Sequence, residues 1–307
     1  MNGVHEFRAN GKLLLTGEYL VLMGATALAL PTRFGQKMAV EPSAKGTLCW
    51  ESFSPGGRWF TATFDTLTFG IQSADNIATA AKLSKLLAAA RALNPAFLAG
   101  DEGCMVKTDA DYPLAWGLGS SSTLCYLIAS WAAIDPFKLH AMVSNGSGYD
   151  LACAGRSDLL FYRLKDGLPE ITTVTPGNAL KHHTWFAYLG NKQDTDREVS
   201  AFLSAPGQSI KQVELLSQLA TGFCVAETAG ELISLATHHE SVMAAILKRE
   251  PVARRFPSFP GTVKSLGAWG GDFAMFISGH DPQEVTGYLQ QQGLSVVFSY
   301  MDIKAVS

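Results

Sequence analysis

The sequence predicts an α+β protein built as two lobes. At 307 residues, 47% hydrophobic and 17% charged, the chain is long enough to bury a substantial core as one large domain or two closely joined ones. Short stretches of alternating apolar and polar residues, the strand signal, are interspersed with longer helix-like runs. Near the centre, Pro113-Leu114-Ala115-Trp116-Gly117-Leu118-Gly119-Ser120-Ser121-Ser122 leads straight into a mostly apolar run from Thr123 to Ile134. That stretch is a glycine-serine turn opening a helix, and the other elements are read around it.

From the N-terminus, Glu6 to Leu22 reads as strand, tight turn, strand, with Gly11 and Gly17 turning the backbone on either side of Lys12 to Leu15. Taken alone, Lys12 is a solvated charge beside a strand. Phe34 to Phe69 alternates in places, as in Thr61-Ala62-Thr63-Phe64, and Pro55-Gly56-Gly57 marks a turn between strands, so this region is sheet scaffold. Asn76 to Leu93, rich in Ala and Leu, reads as a helix with Asp75 as its N-cap and Asn94-Pro95 as its stop. A strand near Cys104 to Thr108 then leads into the central loop.

In that loop the serines can cap the helix start. Its backbone N–H groups lie at the positive end of a helix dipole, and neither Gly117 nor Gly119 carries a Cβ to obstruct a ligand. Such a turn is a natural seat for phosphate, or simply an ordinary capped turn. A Walker loop is excluded, because no Lys follows the glycines in the required place.

Beyond the helix, Asp135-Pro136 breaks the chain and a short helix follows, Phe137 to Val143. Asp150, in Ser144-Asn145-Gly146-Ser147-Gly148-Tyr149-Asp150, reads alone as a cap or turn residue. Leu159 to Arg163 and Glu170 to Val174 are strands joined by a turn at Lys165-Asp166-Gly167, and Thr184 to Leu189 is another, placing the lobe boundary near Pro176 to His183. Ser209 to Leu235 reads as one or two helices and Glu240 to Lys248 as a further one. The adjacent pairs His182-His183 and His238-His239 point apart within a regular element and do not chelate a metal. Lys264 to Asp272 is a glycine turn before the strand Phe273 to Ser278.

Three of these stretches, in this order, resemble the motifs of the GHMP kinases, the superfamily of galactokinase, homoserine kinase, mevalonate kinase and phosphomevalonate kinase. Gly11 to Tyr19, followed by Gly24 to Pro31, is similar to the first motif; Gly17-Glu18-Tyr19 matches phosphomevalonate kinases, where mevalonate kinases carry Gly-Glu-His. Pro113 to Ser121 is similar to the second, a proline, three residues, then Gly-Leu-Gly-Ser-Ser. Ser147 to Asp150 looks like the family's Ser-Gly-x-Asp, and Gly148-Tyr149-Asp150-Leu151-Ala152 resembles a bacterial subgroup named for Gly-Tyr-Asp-Ile-Ala. Gly267-Ala268-Trp269-Gly270-Gly271 resembles the third motif with Trp269 in place of a glycine, and Asp272 follows it as it does in phosphomevalonate kinases.

The resemblance implies the two-lobed GHMP kinase fold. Residues 1–178 would form an ATP-binding lobe like domain 2 of ribosomal protein S5, and residues 179–307 a ferredoxin-like lobe. It also implies an ATP- and magnesium-dependent kinase for a small-molecule alcohol, phosphomevalonate or mevalonate. Asp150 would be the catalytic base and Lys12 would stabilise developing negative charge. Pro113, Gly117, Leu118, Gly119, Ser120, Ser121, Ser122, Gly267, Gly270 and Gly271 would hold ATP, with the Ser121 hydroxyl on Mg2+. Glu18, Tyr19, Ser147, Gly148 and Asp272 would lie near the acceptor. One departure is plain: mevalonate kinases hold magnesium partly through a Glu eleven residues before the catalytic Asp, and that count lands on Leu139 here. A kinase for a sugar or amino-acid alcohol, and a catalytically silent nucleotide or metabolite sensor, are the alternatives.

A formal charge of −3 gives no sign of a nucleic-acid partner. No apolar run spans a bilayer and the N-terminus lacks signal-peptide order, so the expected location is cytoplasmic. Five scattered cysteines read as reduced, buried thiols rather than a disulfide or zinc framework. A homodimer is compatible with the sequence.

Overall fold

The computed structural model describes residues 3–190, 195–204, 209–269 and 272–306. In chain order its elements begin with β1 (His5–Thr16), a 3₁₀ turn at Leu20–Met23, β2 (Ala27–Ser43), β3 (Thr47–Ser54), β4 (Gly57–Asp65), β5 (Ile71–Ala74), α1 (Ile77–Leu93) and β6 (Gly103–Ala110). The central loop opens α2 (Ser120–Trp131), followed by α3 (Pro136–Val143), α4 (Tyr149–Ala154), β7 (Leu160–Lys165) and β8 (Leu168–Thr173). Next come α5 (Asn178–His182), β9 (Thr184–Tyr188), α6 (Thr195–Ser204), α7 (Ile210–Val225) and α8 (Ala229–Leu247). The chain ends with β10 (Thr262–Ser265), β11 (Phe273–Ile277), α9 (Pro282–Gln291), β12 (Val297–Ser299) and α10 (Tyr300–Ile303). No helix among the described residues is long and apolar enough to cross a membrane.

Two compact units share these elements: one is Met1–Gly11, Phe34–Leu114 and Leu118–Gly155, the other Lys12–Arg33, Ala115–Gly117 and Arg156–Ser307. In the first, the strands run in the order β5-β4-β3-β6-β2. Every pairing is antiparallel except β3 with β6, the parallel pair. Alternation puts Trp50, Phe60, Phe64 and Val106 on one face of this sheet, where Leu83 and Leu87 of α1, Leu127 and Ile128 of α2 and Leu139 of α3 close over them. These apolar faces fix where α2 begins, and so where the glycine-serine turn lies.

In the second unit the path β9, α7 and α8, β10, β11, α9, β12 gives an antiparallel sheet ordered β10-β11-β9-β12. Two split crossovers of this kind are the ferredoxin-like arrangement. The central strand β11 is buried along its whole length, because Phe273-Ala274-Met275-Phe276-Ile277 has apolar residues for both faces. α7 and α8 each start in a capping box, Ser209 with Gln212 and Thr228 with Glu231.

Local readings change at five points. β1 runs unbroken through Gly11, and the turn falls only at Gly17, where φ is +86°. Asn76, not Asp75, caps α1: its side chain accepts from Thr79 N, while Asp75 is taken by Thr61 N at 3.0 Å. α2 is capped by Gly119 in the left-handed region and not by a serine, so the three serines form its first turn. A single helix, α8, covers what reads in sequence as the end of one helix and the whole of the next, because Leu232, Ala236, His239, Glu240 and Met243 lie on one buried stripe. Thr262–Ser265 is a strand, although Lys264 within it reads as part of a turn.

Candidate active site

Leu118, fully buried, anchors the central loop, and Gly119 turns the backbone at φ +92° into α2. Ser121, one residue into the helix, is exposed. There is no acidic residue in the first turn to cancel the positive end of the helix dipole, so the arrangement suits an anion. The helix is held in place from beneath by Thr123, whose hydroxyl donates to Gln36 Oε1 at 3.0 Å.

Asp150 belongs to the same unit. Gly148, at φ +83°, starts α4, and the buried Leu151, Ala152, Cys153 and Ala154 fix that short helix in the core. Gly155 abuts α2 so closely that a Cβ there would lie 2.4 Å from the Tyr126 hydroxyl. The Asp150 carboxylate therefore has a set direction. Its Oδ2 accepts from Ser122 Oγ at 3.2 Å, while Oδ1 is buried with no hydrogen-bond partner among the described residues. His140 of α3 and Tyr112 are titratable neighbours: burial pushes the His140 pKa below the usual histidine value, against the pull of Asp150, and pushes the Tyr112 hydroxyl up, with Asp150 adding to the rise. Leu139, where the resemblance would place a magnesium carboxylate, is fully buried in the apolar core.

Lys12, Glu18, Tyr19, Gly117, Gly267 and Asp272 belong to the second unit. Lys12 is half-buried on β1. Glu18 has no exposure at all: it is an ion-pair partner of Lys264 Nζ and lies 3.2 Å from His239 Nε2. Lys264 also donates to Ser265 O at 2.8 Å, and Glu240 accepts from Ser265 N at 3.0 Å and Ser265 Oγ at 2.7 Å. Burial alone would raise the Glu18 pKa, but Lys264 and His239 together hold it below the usual carboxylate value. Burial and Lys264 hold His239 below its ordinary value in spite of Glu18, so its imidazole is neutral at pH 7. Burial pushes Glu240 up.

Tyr19 follows Glu18 with φ +59°, and its hydroxyl, pushed up to about 12 mainly by burial, donates to Ala268 O at 2.8 Å. The Gly17–Tyr19 turn is thereby tied to the segment holding Gly267. Trp269, in place of the family's glycine, is buried against Tyr19, Leu20, Leu219 and Met243, so it is a packing residue. Gly270 and Gly271 lie outside the described residues. Gly117, at φ +68°, stands against Asp272: a Cβ on Gly117 would lie 2.1 Å from Asp272 Oδ2. Trp116 packs its ring on Phe298, Phe273 and Tyr188, fastening the loop entry to β9, β11 and β12.

Pro113 is exposed, Ser120 and Ser147 are half-buried and Gly148 is buried. Sequence reasoning missed Lys264, His239 and Glu240. Their one signal is that Lys264 sits inside an apolar-flanked stretch before a strand, which a solvated lysine does not require. No group of three or more His, Cys, Asp or Glu side chains able to hold a metal ion occurs among the described residues. A magnesium ion that arrives on phosphates, keeps its waters and takes one or two protein oxygens needs no such group. The exposed Ser121 hydroxyl fits that demand.

No protein-family model matches this sequence, and no curated protein does. Solved structures do. Methanococcus jannaschii mevalonate kinase is similar with a TM-score of 0.72 and 12% identity, over 100% of this chain and 99% of that one. Streptococcus pneumoniae phosphomevalonate kinase, in complex with phosphomevalonate and AMPPNP, gives 0.71 and 17% over 96% and 99%. Lactococcus lactis galactokinase, complexed with galactose, gives 0.68 and 12% over 100% and 94%. These are GHMP kinases, and at such identities the likeness shows the fold: this chain has the two-lobed GHMP kinase fold.

Proposed function

We propose that the chain is an ATP-dependent phosphotransferase acting on a small molecule of the mevalonate route, either mevalonate at its hydroxyl or phosphomevalonate at its phosphate. The observation that carries this reading is the Asp150 carboxylate, hydrogen-bonded to the first turn of the phosphate-loop helix and keeping one buried oxygen unpartnered. A base beside a phosphate seat is what transfer to a hydroxyl requires.

In this reading the backbone of Gly117, Leu118, Gly119, Ser120 and Ser121 cradles the ATP phosphates, with Gly267, Gly270 and Gly271 contributing from the third motif. Ser121 supplies its hydroxyl to magnesium, which when bound neutralises phosphate charge. Where the acceptor is a hydroxyl, as in mevalonate, Asp150 takes its proton as the hydroxyl oxygen bonds to the γ-phosphorus and the bond from that phosphorus to the β-phosphate oxygen breaks, releasing ADP; the phosphate of phosphomevalonate would attack through an oxygen already ionised and give Asp150 no proton. Lys12 stabilises the charge that develops. Tyr19, Ser147, Gly148 and Asp272 line the acceptor side. Glu18, whose carboxylate faces Lys264 and His239, acts by holding the turn that carries Tyr19.

Gly17-Glu18-Tyr19 and Asp272 favour phosphomevalonate, while the solved structures include mevalonate kinases and a phosphomevalonate kinase at like TM-scores and make no choice. A second reading, a silent nucleotide or metabolite sensor, is favoured by one observation, the apolar burial of Leu139. The test is ADP formation with mevalonate, phosphomevalonate, homoserine and galactose. Turnover of an alcohol acceptor such as mevalonate, cut about 10²–10⁴-fold in Asp150→Asn with nucleotide binding retained, is the expected result; turnover of phosphomevalonate with little loss in Asp150→Asn would mean transfer to its phosphate without a base. Nucleotide binding without turnover of any acceptor selects the sensor.

A further inference from the structure

We infer that Ser122 is a positioning residue for the Asp150 carboxylate and not a ligand of the nucleotide. What Asp150 does rests on the kinase reading; the contact between the two side chains does not.

Both polar groups of Ser122 are committed inside the protein. Its N–H donates to Gly119 O at 3.0 Å, and its hydroxyl donates to Asp150 Oδ2 at 3.2 Å. Ser121 is its opposite: one helical position earlier, about 100° around the axis, it is exposed. The side chains of these two neighbours diverge by that angle, so the hydroxyl on the solvent side of the turn is that of Ser121 and the one turned to the protein is that of Ser122. The resemblance puts Ser122 among the residues that hold ATP; its hydroxyl is instead given to Asp150.

The contact has a chemical consequence. α4 is held by its buried residues, which leaves the side-chain torsions of Asp150 as its freedom. The Ser122 hydroxyl on Oδ2 restrains the carboxylate and leaves Oδ1, buried and without a partner among the described residues, as the oxygen that a new proton would meet. A buried carboxylate oxygen without a donor is costly. The group that would satisfy it is an O–H donor, which an alcohol acceptor such as mevalonate brings.

Steady-state kinetics with the accepted alcohol separate the two roles. Ser122→Ala should lower kcat about tenfold with the KM for ATP unchanged, and Ser122→Thr, which keeps the hydroxyl, should recover most of the loss. Ser121→Ala should instead raise the KM for ATP. An unchanged kcat in Ser122→Ala, or a loss that appears in the KM for ATP, overturns the inference. A second measurement is independent of turnover: the ¹³C carboxyl resonance of Asp150 should move in Ser122→Ala and stay in place in Ser121→Ala. If it stays in place in both, the inference is wrong whatever the enzyme does. A wild-type protein that turns over no acceptor sinks the kinase reading alone, and the resonance still decides the contact.

Discussion

Lys264 and Glu18 stand 246 residues apart in sequence and form an ion pair in which neither side chain has any exposure to solvent. Two charges taken out of water cost several kcal/mol each, recovered only where geometry and further hydrogen bonds are good. Here Ser265 O accepts a second bond from the ammonium, and His239 faces the other carboxylate oxygen. Removing one partner strands the other. Lys264→Met should therefore destabilise the chain by about 3–5 kcal/mol, and Glu18→Gln comparably. The double variant should cost clearly less than the sum, since neither charge is then left alone. Urea unfolding of the four proteins measures the cycle; additive losses would show that the pair is not coupled.

The same cluster makes acid the weak side of the fold. His239 is held below its ordinary pKa of 6.5 by burial and by Lys264, so as the pH falls through 6.5 the unfolded chain binds a proton that the folded chain refuses. His140, also held down by burial, adds to this loss. Glu18, held below 4.5, extends it further into acid, where the unfolded carboxyl protonates first. Glu240 works in the opposite sense: it is pushed above 4.5, so its contribution is full below 4.5 and is lost as the pH rises through its folded value. The expected result is a urea midpoint that declines from neutral pH towards pH 5. His239→Gln should flatten part of that decline, leaving the share of His140 and the loss at lower pH. A midpoint independent of pH between 7 and 5 would contradict the assignment.

What the sequence made legible follows from how local each signal is. The glycine-serine turn, the apolar run behind it and the Asp166-Gly167 turn are each specified within a few residues, and the fold has them. Asn76 and Asp75 are both good caps by residue type; the choice between them was made by Thr61, on another strand, which binds Asp75. Lys264 looks like a surface lysine because the group that neutralises it lies near the other end of the chain. Glu18 is read as facing a substrate for the same reason. Residues whose charged partners are distant in sequence carry little local mark, and in the buried charge cluster Lys264 alone shows one, its apolar-flanked stretch.

Gly117 tests how tightly the loop entry is built. Its φ of +68° is disfavoured by about 1–2 kcal/mol for a residue with a side chain, and a new Cβ would also meet Asp272 Oδ2 at 2.1 Å. Gly267 has a similar φ of +57° but no atom within 4 Å of the Cβ position. Gly117→Ala should thus lower the thermal midpoint more than Gly267→Ala, the difference reporting the clash. On the proposed function it should also weaken ATP binding, which calorimetry measures. Equal midpoints would mean that Asp272 moves aside at no cost.

Leu139 decides whether the absent magnesium carboxylate can be put back. Its side chain is fully buried and packs in the core that contains Leu127, Ile128 and Leu151. Leu139→Ala should cost about 2–5 kcal/mol, the ordinary result of a cavity in a packed core. Leu139→Glu should be worse, because a carboxylate there meets apolar side chains and no cation, and it has to protonate or drag the end of α3 towards water. The chain should fold poorly and turnover should fall, with no gain in magnesium dependence. Titrating magnesium against turnover in the soluble fraction of Leu139→Glu checks this directly. A stable variant that saturates at lower magnesium would place position 139 beside the phosphates. The charge there is then a loss that this chain could have kept, and not one that its core forbids.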